Sequence, residues 1–298
     1  MRSLSTSRGV CFCFVMNSAS ASTATRAQAT ETLPTLLNLP PFPAVALRAL
    51  NVLSGTDTSL RELCDLIRTD AVFSAEILRI ANSPLIAFSK EITSVLQASM
   101  LLGFQRLRRL VVTVALRSYL DSAAPLLRSC WRHSVACAIL ADQAARWISL
   151  DGEFAYTAGI LHDIGRVVLT AMEPDAYVAL LDRSTEPPLG MLRKERDVFV
   201  MDHCQAGSWL LAAWNLPRDL ATIAAHHHEP LTHQEDAAEV IRLSCLLANA
   251  LGFAVTPHNA SSPEKVLAEF PESVRMHLPK PEELTSELTR QISAIELA

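Results

Sequence analysis

Glycine is scarce in this 298-residue chain: there are 9, and none sits in a Gly-rich loop of the kind that cradles phosphate. Aromatic residues make up 6%, and the shortage of strand-forming Thr, Tyr, Phe and Trp argues against a β-sheet protein. The seven cysteines, at positions 11, 13, 64, 130, 137, 204 and 245, contain no C-x-x-C pair. Scattered in this way they read as reduced thiols of a cytoplasmic protein and not as a disulfide framework. Positive charge does not prevail either. With 26 Lys and Arg against 31 Asp and Glu the net charge is −5, which speaks against a broad nucleic-acid footprint. No apolar run reaches the roughly 18 residues that a bilayer span needs, so no membrane partner is expected. No internal repeat is visible.

What is present is apolar and helical in period. Half of the residues are hydrophobic, and they recur at helical spacing, so the fold class expected is all-α, with two packed helical subdomains. Residues 1–30 hold three arginines, no acidic residue and many Ser, Thr and Ala. They read as a disordered leader, with Met16 as an alternative start. The first helical part covers 31–120. "TSLRELCDLIRTD" carries a Ser59-x-x-Glu62 capping box, "DAVFSAEILRIANSPL" is a helix stopped by Asn82 and Pro84, and "SVLQASMLLGFQRLRRLVVTVALRSYL" reads as two helices hinged at Gly103. The second part covers 121–255, and 256–298 reads as a Pro-rich linker followed by a terminal helix with Leu284, Leu288 and Ile292 on one stripe.

The second part contains "GILHDIGRVVLTAM", in which His162 and Asp163 interrupt an otherwise oily helix. On one continuous helix Gly159, His162, Asp163 and Arg166 would share a face. A buried carboxylate must pair, hydrogen-bond or bind metal, and Arg166 is the simplest ion-pair partner. His133, His203, His227 and His228 fall at helical positions in the same part. Imidazoles together with a carboxylate are the ligands preferred by zinc, iron and manganese. Gly159 and Ala158 leave room for a second helix or a ligand to come close. Arg106, Arg108 and Arg109, following a glycine, allow a helix-turn-helix reading, against a solvated basic face as the plainer one.

His133 followed by His162-Asp163 in "GILHDIG" resembles the metal-binding core of the HD phosphohydrolase superfamily. "LPPFPAVALRAL", "LIRTDAVFSAEILRIANS", "LLGFQRLRRLVV" and "WNLPRDLATIAAHHHEP" resemble one branch of it, the HDOD domain, over about residues 33–253. That resemblance implies an all-helical fold whose second subdomain is an HD-like helical core. It also implies a bacterial signalling or regulatory role, exercised without catalysis on separate signalling proteins or a nucleotide ligand. Carried over from the related HD-GYP phosphodiesterases, the metal-ligand candidates are His133, His162, Asp163, His203, His227 and His228, with Glu229 completing "HHE". Three departures stand out. Asn249 occupies the place of a final aspartate, "LTHQEDAAEV" replaces the GYP segment, and Arg166 replaces a lysine. A neutral amide holds cations less well than a carboxylate, so the site reads as degenerate. No cofactor is expected beyond Fe, Mn or Zn at low occupancy. The alternative is a metal-dependent phosphohydrolase acting on a nucleotide or cyclic di-GMP, with Asp163 and Arg166 as its catalytic residues.

Overall fold

The computed structural model describes residues 60–83, 92–123, 127–257 and 261–297, together with Ala44, Leu47, Arg48 and Ile86. The expected leader, the Met16 start and the Ser59 cap lie outside these residues. Among the described residues there is no strand, and the architecture is the packed all-α one expected.

Helices α1 (Leu60–Arg68) and α2 (Ala71–Ala81) pack on the long α3 (Val95–Ala123). The Asp70 side chain caps α2 by accepting from the Phe73 N–H at 2.9 Å. Asn82 ends the helix as anticipated. Its side chain exchanges two hydrogen bonds with the backbone of Ile92, at 2.8 and 2.7 Å, and so fastens the end of α2 to the approach to α3. The Gly103 hinge is real: φ 76° and ψ 167° break α3 at a conformation open essentially to glycine alone.

The second part is built on α4 (Arg128–Trp147), which runs along α5 (Gly152–Leu161) and is crossed by α11 (Ala237–Ala248). The approach of α4 and α5 is as close as Gly159 predicted, since a Cβ there would lie 2.6 Å from the Ala138 Cα. Between α5 and α11 come α6 (Gly165–Met172), α7 (Pro174–Arg183), α8 (Pro188–Phe199), α9 (His203–Ala213) and α10 (Arg218–His226). Helices α7 and α8 start on the prolines that preset their first turns. After α11 the chain passes into a π-turn, Asn249–Phe253.

The stretch expected as a linker is not bare. It forms α12 (Pro263–Glu269) and α13 (Glu272–Arg275), which bury Val266, Phe270 and Val274. An apolar residue every few positions between the prolines is enough for short helices to dock. The terminal helix α14 (Pro281–Leu297) buries Leu284, Leu288 and Ile292 as expected. One large apolar core runs from Leu63 in α1 to Ile295 in α14, so the two helical parts share an interior, and Ala81, Ile92, Ala98 and Leu102 form a small second cluster beside α2 and α3.

The three arginines of "FQRLRR" form neither a DNA-reading face nor a solvated one. Arg108 is buried, and Arg109 turns inward, leaving Arg106 exposed. Arg109 donates to Asp142 of α4 at 2.7 and 2.6 Å, and to Glu153 of α5 through its Nε at 2.9 Å and again through Nη2. The arginines thereby join α3 to the second part. No described helix is long and apolar enough to cross a membrane.

Candidate metal centre

His162 and Asp163 do not ride a continuous helix. Helix α5 ends at Leu161, residues 162–164 form a turn that keeps right-handed helical dihedrals, and α6 begins at Gly165. The backbone of α9 crosses at Gly165, where a Cβ would fall 1.9 Å from the His203 carbonyl oxygen and 2.3 Å from the Gly207 nitrogen. The turn lays α6 against α9 and aims the His-Asp pair inward.

The candidate residues converge. His133 comes from α4, His203 opens α9, His227 caps the end of α10, and His228 follows it. The Nε2 atoms of His203 and His227 lie 3.3 and 3.4 Å from Asp163 Oδ1. Nε2 of His133 lies 3.2 Å from Nε2 of His162. Asn249 borders the same cavity, with His133, Asp163, Arg166 and His228. His226 and Glu229 stay outside; they pair with each other at 2.7 Å on the surface, so the glutamate of "HHE" takes no part. Arg166 fulfils its expected role, donating from Nε to Asp163 Oδ2 at 2.8 Å.

Three participants had no sequence-level claim. Glu195 is fully buried and accepts from His203 twice, from Nδ1 at 2.6 Å and from the backbone N–H at 2.9 Å. Tyr177 donates to Glu195 at 2.9 Å and accepts from Arg166 at 3.0 Å. The Sγ of Cys245 lies 3.5 Å from His133 Nε2. Glu195 had a signal: it falls on the apolar stripe of α8 with Met191, Leu192 and Phe199, where a carboxylate needs a reason.

The hydrogen bonds fix the imidazole tautomers. Nδ1 of His133 donates to the Phe253 carbonyl at 3.0 Å, Nδ1 of His162 to the Gly159 carbonyl at 2.7 Å, and Nδ1 of His227 to the Ala224 carbonyl at 2.9 Å. Carbonyl oxygens only accept, so in the neutral rings each Nε2 is a bare lone pair. Burial keeps these rings neutral. It pulls His133 down to about 4, and it lowers His162, His227 and His228 as well. For Asp163 burial acts upward, but the charge of Arg166 beside it outweighs this and holds the carboxyl well below its usual range. Burial likewise opposes the charge on Arg166, and Asp163, Tyr177 and Glu195 overcome it.

Acceptors therefore face acceptors. His133 Nε2 and His162 Nε2 present lone pairs to each other, and His227 Nε2 presents one to the Asp163 carboxylate. Asp163 Oδ1, His227 Nε2 and His228 Nε2 are buried without a hydrogen-bond partner. Nitrogen and oxygen donors oriented from behind by carbonyls and a carboxylate are the environment of a divalent cation, and these residues fit one. The cavity offers about 20 Å³, room for an ion or a water and for little more.

Comparison with known proteins agrees with this scaffold. A protein of Geobacter sulfurreducens, reported as an HDOD domain protein of unknown function, superposes with a TM-score of 0.70 at 25% identity, over 93% of this chain and 98% of that one. A Marinobacter aquaeolei protein provisionally assigned to signal transduction gives 0.66 at 21% identity, over 92% of this chain and 64% of that one. A Shewanella amazonensis protein provisionally assigned as a phosphohydrolase gives 0.64 at 19%, over 91% and 96%. In sequence, an uncharacterized protein of Treponema pallidum (strain Nichols) is 25% identical over 204 residues, 66% of this chain. The chain spans 39% of that relative's length. The profile of the HDOD domain matches residues 39–230, a span that begins before α1 and closes on the histidines of α10: the chain belongs to the HDOD domain family.

Proposed function

We propose that this protein is a regulatory HDOD protein that acts by binding, through a signalling protein or a small ligand, without turning over a substrate. The histidine cluster is read as the seat of one divalent cation held for structure or sensing. His133, His162, Asp163, His203, His227 and His228 are the residues that would hold it. A bound cation supplies the positive charge that the facing lone pairs and the Asp163 oxygen lack.

The observation that carries the reading is the grip of Arg166 on Asp163. With Oδ2 taken at 2.8 Å, Asp163 keeps Oδ1 as its free oxygen, which favours one cation over a bridged pair. Asn249, at the cavity wall, adds no charge to help a second ion, and adjacent cations repel strongly where little compensates them. The space of about 20 Å³ is far below the few hundred that a nucleotide-sized ligand fills.

The test joins elemental analysis with a phosphodiesterase assay on one preparation of the full chain. The reading expects at most one Zn, Fe or Mn per chain, and hydrolysis of cyclic di-GMP and simple phosphodiesters no faster than in Asp163→Ala. Two ions per chain, with turnover abolished by the Asp163 change, would establish the phosphohydrolase alternative instead.

A further inference from the structure

One helical turn before Asn249, on the same face of α11, stands Cys245. Its side chain is 2% exposed, and its Sγ lies 3.5 Å from His133 Nε2. The nearest approach of Asn249 to this sulfur is its Nδ2, at 4.0 Å. The Sγ of Cys245 and the ring nitrogens of His133 and His162 all lie within 4.8 Å of one another. Both histidines are 1% exposed, and both turn an unprotonated Nε2 toward this point because their Nδ1 atoms are spent on the carbonyls of Phe253 and Gly159.

We propose that Cys245 is a ligand of the bound cation, its thiolate supplying the negative charge that Asn249 lacks, so that the centre takes a soft divalent ion such as zinc. The inference rests on the cation reading of the cluster and adds a donor to it. Two imidazole nitrogens and a sulfur make up most of a four-ligand structural zinc set, and sulfur shifts preference away from magnesium, calcium and manganese. Binding releases the thiol proton to solvent as the sulfur–metal bond forms. Two other described cysteines near the cluster are placed differently, although Cys204 also lies within 4.8 Å of donor atoms of His203, His227 and His228. Cys204 lies 3.7 Å from His227 Nδ1, the side of that ring turned to the Ala224 carbonyl and away from Asp163. Cys137 points to the Ile241 carbonyl at 3.9 Å.

Cobalt(II) titrated into the chelator-treated full chain tests this. The expected spectrum contains a sulfur-to-cobalt charge-transfer band as well as ligand-field bands. Cys204→Ser and Cys137→Ser should keep the charge-transfer band and Cys245→Ser should lose it. Zinc affinity, measured against a chromophoric chelator, should fall at least about tenfold in Cys245→Ser, on the scale seen when a metal site loses a supporting group. If Cys245→Ser does not fold, Cys245→Ala is read in its place, and the band must be lost there while Cys204→Ser and Cys137→Ser keep it. Cobalt bound with ligand-field bands but without the sulfur band overturns the role of Cys245 and leaves the cation reading standing. Survival of the band in Cys245→Ser has the same consequence. No cobalt uptake by the wild-type chain overturns both.

Discussion

Glu195 holds His203 by two atoms at once, the ring Nδ1 at 2.6 Å and the main-chain N–H at 2.9 Å. One carboxylate thus sets both where α9 starts and which way its first imidazole points. Burial tends to raise the Glu195 pKa, and His203 and Arg166 reverse this and hold it low. Removing the group leaves the buried His203 Nδ1 and the Tyr177 hydroxyl without their acceptor and takes from Arg166 the second of its two carboxylates, 3.5 Å away. Glu195→Ala should therefore cost about 3–5 kcal/mol, and Glu195→Gln visibly less, because its amide oxygen still accepts. Urea unfolding of the three proteins checks the order; equal losses in the two variants would mean that the retained amide oxygen contributes nothing.

Gly165 marks where α6 and α9 touch backbone to backbone. A methyl group there meets the His203 carbonyl oxygen at 1.9 Å and the Gly207 nitrogen at 2.3 Å, and main chain on both sides has nowhere to retreat. Gly165→Ala should lose about 3 kcal/mol and weaken metal uptake with it. A variant as stable as wild type in thermal melts would mean the helices part freely.

At the end of α8, Val200 adopts φ 68°, a left-handed conformation that β-branched residues avoid, and the residue is 71% exposed. Little packing is at stake, so relief of strain should dominate. Val200→Gly is expected to gain about 1 kcal/mol, seen as a higher urea midpoint. A loss of similar size would show that Val200 has a packing role.

Acid should weaken the fold earlier than carboxylate titration alone would. His133 titrates near 4 in the folded chain because burial disfavours its charge, against about 6.5 when unfolded. The unfolded chain therefore binds more protons in that window, and stability falls as pH drops from about 6.5 toward 4. The slope is about 1.4 kcal/mol per pH unit for each such histidine. Denaturant melts of chelator-treated protein at pH 7.5, 6 and 5 measure it. A stability that stays flat or peaks near pH 5 would contradict neutral, buried rings.

Helical period and chain punctuation announced much of this molecule. Asn82 and Gly103 stop and hinge helices where their own chemistry says they should. That His133, His162, His203, His227 and His228 would gather was legible through the resemblance to the HD superfamily, and Asp163 demanded company wherever it was buried. The break at Gly165 was hidden, since nothing within "HDIGRVV" reveals that another backbone will cross there. Glu195 and Tyr177 escaped because their elements, α7 and α8, carry so many charged side chains that an inward carboxylate looks like one more surface group. Cys245 read as one more scattered thiol, and its nearness to His133 is a tertiary fact across 112 positions.

The double carboxylate grip of Arg109 bears on how such a sequence can change through descent. Asp142 and Glu153 lie on different helices and are drawn to one guanidinium on a third. A lineage that lost Arg109 first would leave Asp142 and Glu153 to the more exposed Arg146 and to Arg108, and one that lost either acid would leave an overcharged seam. Drift at any of the three positions is thus costly until another has moved. The trio should be inherited as a block, and a lineage in which all three are apolar should be commoner than one missing a single member.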